Sequence, residues 1–134
     1  MVVVKREHLY EMIRHAMEGD PNEVCGMLGG RAERVVRVYR VPSVDPSPVR
    51  YYMEPREQLR VMQEMESEDL ELVGIYHSHT RSAAYPSVTD VNLAYYPVVY
   101  FIVSLADPSA PVVRAFRIAD GTITEETIEV ERDS

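Results

Sequence analysis

The stretch Val98-Val99-Tyr100-Phe101-Ile102-Val103 is the most continuous apolar run in the chain, inside a strand read over Val98–Leu105. Side chains of a strand alternate between two faces. A strand that is apolar at every position therefore needs cover on both, which places it at the centre of a sheet with helices packed over it. Two amphipathic segments can supply that cover. Over Glu7–Gly19 the apolar residues Leu9, Met12, Ile13, Ala16 and Met17 recur at helical spacing, and Gly19-Asp20-Pro21 ends the run. Pro55 stands at the first turn of a second helix, whose apolar face carries Leu59, Met62 and Met65 and which ends near Asp69.

The remaining segments complete the layers. Val24–Leu28 reads as a short strand, Gly29-Gly30 as a turn, and the β-branched stretch Arg34–Val41 as its hairpin partner. The three prolines of Val41–Pro48 mark a loop, and Arg50–Met53 reads as a short strand after it. Leu70–Tyr76 is a buried strand running into His77-Ser78-His79, and Ser87–Tyr95 is a short helix. Pro111–Ile118 and Thr122–Glu131 are strands joined by the hairpin turn Asp120-Gly121. Helices interleaved with strands predict an α/β (α+β) fold with a mixed sheet, and 134 residues leave room for one domain spanning 1–134.

Charge and cysteine content exclude several function classes. The chain has 22 acidic and 14 basic residues, a net charge of −8, which argues against a surface that tracks phosphates, so no nucleic-acid partner is expected. No apolar run approaches the roughly 20 residues that cross a bilayer, and charges follow Met1-Val2-Val3-Val4 at once, so neither a membrane span nor a secretory signal is read. A single cysteine, Cys25, rules out an internal disulfide and a four-cysteine zinc site. It fits a reducing compartment, and a cytoplasmic location is expected.

The chemistry concentrates in His77-Ser78-His79, seven residues, then Ser87-Val88-Thr89-Asp90. Two histidines at i and i+2 on a strand project to the same side, so both imidazoles can face one metal ion. Asp90, from the first turn of the next helix, would add an oxygen. Two nitrogens and one oxygen leave one position of a tetrahedral zinc open, the pattern of a catalytic rather than a structural site. Such a site also needs a proton shuttle, and Glu23, just ahead of the strand at Val24, is the candidate. Ser87 can donate a hydrogen bond to an oxyanion, or can simply cap its helix with Asp90, although a reciprocal cap prefers Glu or Gln there. Each residue alone has such a bland reading. The full spacing arises by chance in roughly one chain in 10⁴ or fewer of this length, which favours zinc.

This pattern resembles the JAMM (MPN-plus) zinc metalloprotease motif. The flanks Gly74-Ile75-Tyr76-His77-Ser78-His79 and Glu23-Val24-Cys25-Gly26-Met27-Leu28-Gly29-Gly30 are similar to the signature strands of its small stand-alone prokaryotic members. The resemblance implies His77, His79 and Asp90 as ligands of Zn²⁺, Glu23 as general acid/base and Ser87 as oxyanion helper. It also implies a curved sheet flanked by helices, of cytidine deaminase-like architecture. The implied activity is hydrolysis of a peptide or isopeptide bond after the C-terminal Gly-Gly of a ubiquitin-like or sulfur-carrier protein. Thr80 stands where the family usually has proline, which bears on the shape of the loop after His79. The deaminases themselves are excluded, since they need an H-x-E and a P-C-x-x-C.

Two other function classes compete with the zinc peptidase: a catalytically silent scaffold of the same fold, and a zinc amidohydrolase acting on a small-molecule amide. A silent scaffold would have lost ligands, and all five positions are present. Cys25 reads either as a thiol near the metal or, more in keeping with an apolar strand, as a buried small hydrophobe. His8 and His15 have no third partner for a metal site. No repeat or stripe specifies an oligomeric state.

Overall fold

A computed structural model describes residues 1–132. Along the chain run β1 (Val2–Lys5), α1 (Arg6–Gly19), β2 (Cys25–Arg31), β3 (Arg34–Val41), α2 (Pro55–Ser67) and β4 (Glu71–His79). They are followed by α3 (Val88–Asn92), β5 (Val99–Ser104), β6 (Val112–Ala119), β7 (Thr122–Glu126) and β8 (Ile128–Glu131). One mixed sheet takes all the strands in the order β7-β6-β5-β4-β2-β3-β1-β8. β4 and β5 are parallel, as are β1 with β3 and β1 with β8, while the other neighbours are antiparallel.

β5 is buried along its whole length, as its composition requires. Tyr100 and Ile102 join a core with Met27, Ile75 and the α2 residues Val61 and Met65. Val99, Phe101 and Val103 join the opposite core with Val4, Tyr76 and the α1 residues Met12 and Ala16. The helices thus cover the two faces of the sheet, and the alternation decides where the chemistry lies. On β4, Ile75 belongs to the α2 side and Tyr76 to the α1 side, so His77 and His79 share the α2 face.

Several local expectations are corrected. β1 is an element that the sequence reading did not foresee, because a four-residue strand leaves little periodicity to detect. Gly29 and Gly30 are strand residues at a bulge, and the turn falls instead at Ala32-Glu33, both left-handed at φ 50° and 62°. Arg50–Met53 forms no strand, only a single bridge between Ser43 and Met53, because Tyr51 turns aside to pack on the site. The third helix stops at Asn92 rather than Tyr95.

The segment Thr122–Glu131 breaks at Thr127 into two strands at opposite edges of the sheet. β7 pairs with β6, whereas β8 lies parallel to β1 with Val2 opposite Ile128. At the break, Val2 N donates to Thr127 O at 2.9 Å, and the amino terminus pairs with Glu126. A sheet whose edges are bridged by one segment must curl, which accounts for its curvature.

Candidate metal centre

The antiparallel pairing of β2 with β4 sets the register of the site. Cys25 faces His77. One step further Ser78 N donates to Val24 O at 3.1 Å and Val24 N donates to the Ser78 hydroxyl at 2.9 Å. Continuing the same register brings Glu23 across from His79. Asp90 enters from the first turn of α3, where Ser87 Oγ accepts from Asp90 N at 3.0 Å and Asp90 Oδ2 accepts from Ser87 N at 2.9 Å. This reciprocal cap forms with an aspartate in the position that usually favours a longer acid. Ser87 remains exposed at the rim of the site.

Three atoms that could hold a metal ion converge. His77 Nε2 and His79 Nε2 are 3.1 Å apart, and they lie 3.1 and 2.9 Å from the same oxygen, Oδ2, of Asp90. All three residues are buried, with exposures of 1, 3 and 8%. Tetrahedral bonds of about 2.0–2.1 Å set ligand atoms about 3.3 Å apart, so the spacing suits a small divalent cation. The donors are oriented for one as well. His79 Nδ1 donates to Ala83 O at 2.9 Å, which fixes the tautomer that leaves the Nε2 lone pair facing Asp90 and His77. His77 is held by its ring, stacked on Tyr51 at a centroid distance of 4.5 Å.

Electrostatics act differently on each member of the group: burial works to lower the His79 imidazole, but its contacts with Asp90 and Ala83 O push it up. Burial works to raise the Asp90 carboxyl, but the two imidazoles beside it overrule that and hold the group well below the usual carboxylate range. Burial drives the His77 imidazole down, toward the neutral form that ligates metals. Glu23 behaves differently. Burial pushes its carboxyl up to about 7, with His79 opposing the rise and Asp90 adding to it. It is 7% exposed, and its Oε1 finds no partner among the described residues. An unpartnered buried carboxyl poised near neutrality beside three converging ligands can accept and return a proton.

The sequence reading missed how the site is held. Residues 42–53 leave the sheet and return: Val44 N donates to Tyr52 O and Glu54 N to Pro42 O. The excursion is fastened to the site at three points. Ser47 O accepts from Glu23 N at 2.8 Å, Pro48 O accepts from the Thr80 hydroxyl at 3.3 Å, and Tyr51 stacks on His77. Thr80 therefore contributes a tether that proline could not make, and its departure from the family pattern was the one visible signal. An aromatic cavity of about 140 Å³, lined by Tyr51, Tyr52, Met53, Tyr95, Tyr96 and Tyr100 among others, opens beside this loop.

The remaining candidates fall away. Cys25 is fully buried, its thiol donates to Val41 O at 3.3 Å, and burial pushes it up to about 12, so it is a core residue. His15 Nδ1 and the Tyr76 hydroxyl share a hydrogen bond at 2.7 Å, and burial lowers the imidazole to about 4.

Comparison with known proteins agrees with the geometry. The family described as prokaryotic homologs of the JAB domain matches residues 5–119. The chain belongs to this family. A JAB relative from Mycobacterium tuberculosis named CysO-cysteine peptidase is 39% identical over 133 residues, covering 97% of this chain and 91% of the relative. A protein from Pyrococcus furiosus named desampylase is 36% identical over 99 residues, 73% of this chain and 71% of the relative. Among solved structures, a protein from Desulfitobacterium hafniense superposes with a TM-score of 0.91 at 38% identity, over 99% of this chain and 94% of that one. A JAB1/MPN domain protein from Archaeoglobus fulgidus shares the fold with a TM-score of 0.68 at 18% identity, over 97% of each chain. With named relatives that are peptidases, this JAB chain is a hydrolytic enzyme. Among the described residues no helix is long and apolar enough to cross a membrane.

Proposed function

We propose that this JAB domain, one unit over residues 1–134, is a zinc-dependent peptidase of the cytoplasm. It would cleave the bond after the C-terminal glycine of a ubiquitin-like or sulfur-carrier protein. The observation that carries the reading is the convergence of His77 Nε2, His79 Nε2 and Asp90 Oδ2 on one point, with the unpartnered carboxyl of Glu23 alongside. The donor set of two imidazoles and one carboxylate is that of a catalytic rather than a structural zinc site. The names of the relatives support the carrier substrate, and a cytidine deaminase-like architecture is part of the same reading.

When bound, zinc is a Lewis acid that makes water acidic near neutral pH and polarises a carbonyl. The protein's own groups do the rest. Glu23 takes a proton from the attacking water and returns it to the leaving nitrogen, so one carboxyl serves as base and then acid. The Ser87 hydroxyl, exposed at the rim, donates to the oxyanion as the carbonyl becomes tetrahedral. His79 stays oriented by Ala83 and His77 by Tyr51.

The test has two arms. Elemental mass spectrometry on protein purified without added metal or chelator should find about one zinc per chain, lost in His77→Ala. The zinc-loaded protein should then cleave a carrier-protein conjugate after its terminal glycine. A chain that takes up no zinc when supplied with it would instead be a silent scaffold. Zinc with turnover of small amides alone would make it an amidohydrolase.

A further inference from the structure

β5 runs through hydrophobic residues from Val99 to Val103 and ends on Ser104, a serine only 4% exposed. A hydroxyl in such a place costs free energy unless it is hydrogen-bonded. It is bonded twice: Ser104 Oγ donates to Ser82 O at 2.6 Å and accepts from Ala106 N at 3.2 Å. In the parallel pairing of β4 with β5, Ser104 lies directly beside His79. Alternation from Tyr100 and Ile102 puts its side chain on the face that carries His77 and His79.

This hydroxyl bears on the metal centre through a loop. Residues 80–87 form neither helix nor strand, so their shape depends on what fastens them. Within the loop, Ala83 supplies the carbonyl that accepts from His79 Nδ1 at 2.9 Å. Ser104 grips the chain one residue earlier, at Ser82 O. The proton of a neutral His79 has two places to sit. On Nδ1 it meets Ala83 O and leaves Nε2 free to ligate. On Nε2 it meets Asp90 Oδ2, 2.9 Å away, and the nitrogen that faces the site can no longer ligate. Ala83 O wins that competition only while it is well placed. His77 offers no second control of this kind, because its Nδ1 is buried without a hydrogen-bond partner among the described residues.

We infer that Ser104 is a positioning residue for the metal centre. By holding Ser82 O it keeps Ala83 O aimed at His79 Nδ1, and so keeps the Nε2 lone pair turned toward the cation. Ser104 itself touches neither metal nor substrate. The consequence for zinc rests on the peptidase reading above and adds how that site is tuned. Outer partners of a ligating histidine contribute about 10- to 100-fold in metal affinity, and a residue one step further out acts at the lower end of that range.

The experiment compares Ser104→Thr with Ser104→Val, two side chains of the same shape that differ in the hydroxyl. Both are β-branched and suit a strand. Zinc affinity, measured by competition with a chelator, should be about 10-fold weaker in Ser104→Val than in Ser104→Thr. Nitrogen NMR of the metal-free proteins, at alkaline pH where imidazoles are neutral, should place the His79 proton on Nδ1 in wild type and Ser104→Thr. In Ser104→Val it should shift toward Nε2. Val103→Ala faces the opposite core and controls for simple destabilisation: it should lower the melting temperature and leave zinc affinity unchanged. If either Ser104 variant fails to fold, the same readouts on Ser104→Ala against wild type decide. Equal zinc affinities and an unchanged His79 tautomer with and without the hydroxyl overturn the inference while leaving the peptidase reading intact. A wild type that binds no zinc overturns the zinc reading alone, because the tautomer still tests Ser104.

Discussion

Replacing Gly26 by alanine is expected to cost about 3 kcal/mol, far more than one methyl group suggests. Gly26 lies opposite Tyr76 in the β2–β4 register. A Cβ there would sit 2.1 Å from Tyr76 Cε1, 2.3 Å from Cζ and 2.5 Å from the hydroxyl. The ring cannot swing away freely, since Tyr76 is fully buried and its hydroxyl is held by His15. Overpacking of this kind costs about 1–3 kcal/mol, and losing the Tyr76–His15 bond adds about 1 kcal/mol. With about 2.1 cal/mol/K of unfolding entropy per residue, about 3 kcal/mol lowers the Tm of 134 residues by roughly 10 °C.

Calorimetric melting of Gly26→Ala, Tyr76→Leu and the double variant measures this directly. Tyr76→Leu alone should destabilise by leaving a gap, and the double variant should fall short of the sum by about 2 kcal/mol, because the leucine vacates the space the new methyl enters. Gly121→Ala is the control. Its Cβ meets nothing within 4 Å, so it should lose only about 1 kcal/mol, through its left-handed φ of 77°. A Gly26→Ala protein melting within 2 °C of wild type, or strictly additive behaviour of the pair, would refute the steric argument.

Other outcomes follow from the site. Glu23→Gln should retain zinc and lose at least about 10²-fold in kcat; a fully active variant removes Glu23 from the chemistry. Its raised pKa also has a stability signature. The unfolded carboxyl ionises near its ordinary 4.5 and the folded one near 7, so metal-free protein should lose stability as pH rises between those values. A melting series over that window should flatten in Glu23→Gln. Asp90→Ala should lose zinc, since two imidazoles alone hold it poorly; full zinc occupancy in that variant contradicts the ligand assignment. Thr80→Val removes the hydroxyl that donates to Pro48 O and should cost about 0.5–1.5 kcal/mol. Hydrogen exchange at the Glu23 amide, which donates to the neighbouring Ser47 O, should quicken in that variant, and unchanged protection would show that the tether is idle.

What was legible in the sequence was local. The apolar run at 98–103 needed cover on both faces, and β5 has it. The His-x-His spacing and the Ser87–Asp90 cap are set by strand and helix periodicity, and the three atoms that could hold a metal meet accordingly. What was hidden depends on partners distant in the chain. Tyr51 looks like any loop aromatic until the excursion at 42–53 folds back onto His77. β1 is too short to announce itself and is specified by β3 and β8, one of them more than a hundred residues away. The glycines at 29 and 30 suggest a turn, but the left-handed pair Ala32-Glu33 makes it.

The strand pair β1–β8 also sets an order of events during synthesis. Val2 leaves the ribosome long before its partner Ile128 is made. Closing a loop of that length is slow compared with local contacts. While the chain is being made, α1 and β1 can rest on β3, but the outer side of β1 stays open until residues 128–131 emerge. The nascent enzyme therefore carries an apolar strand with one side unpaired for as long as synthesis takes to reach residue 128.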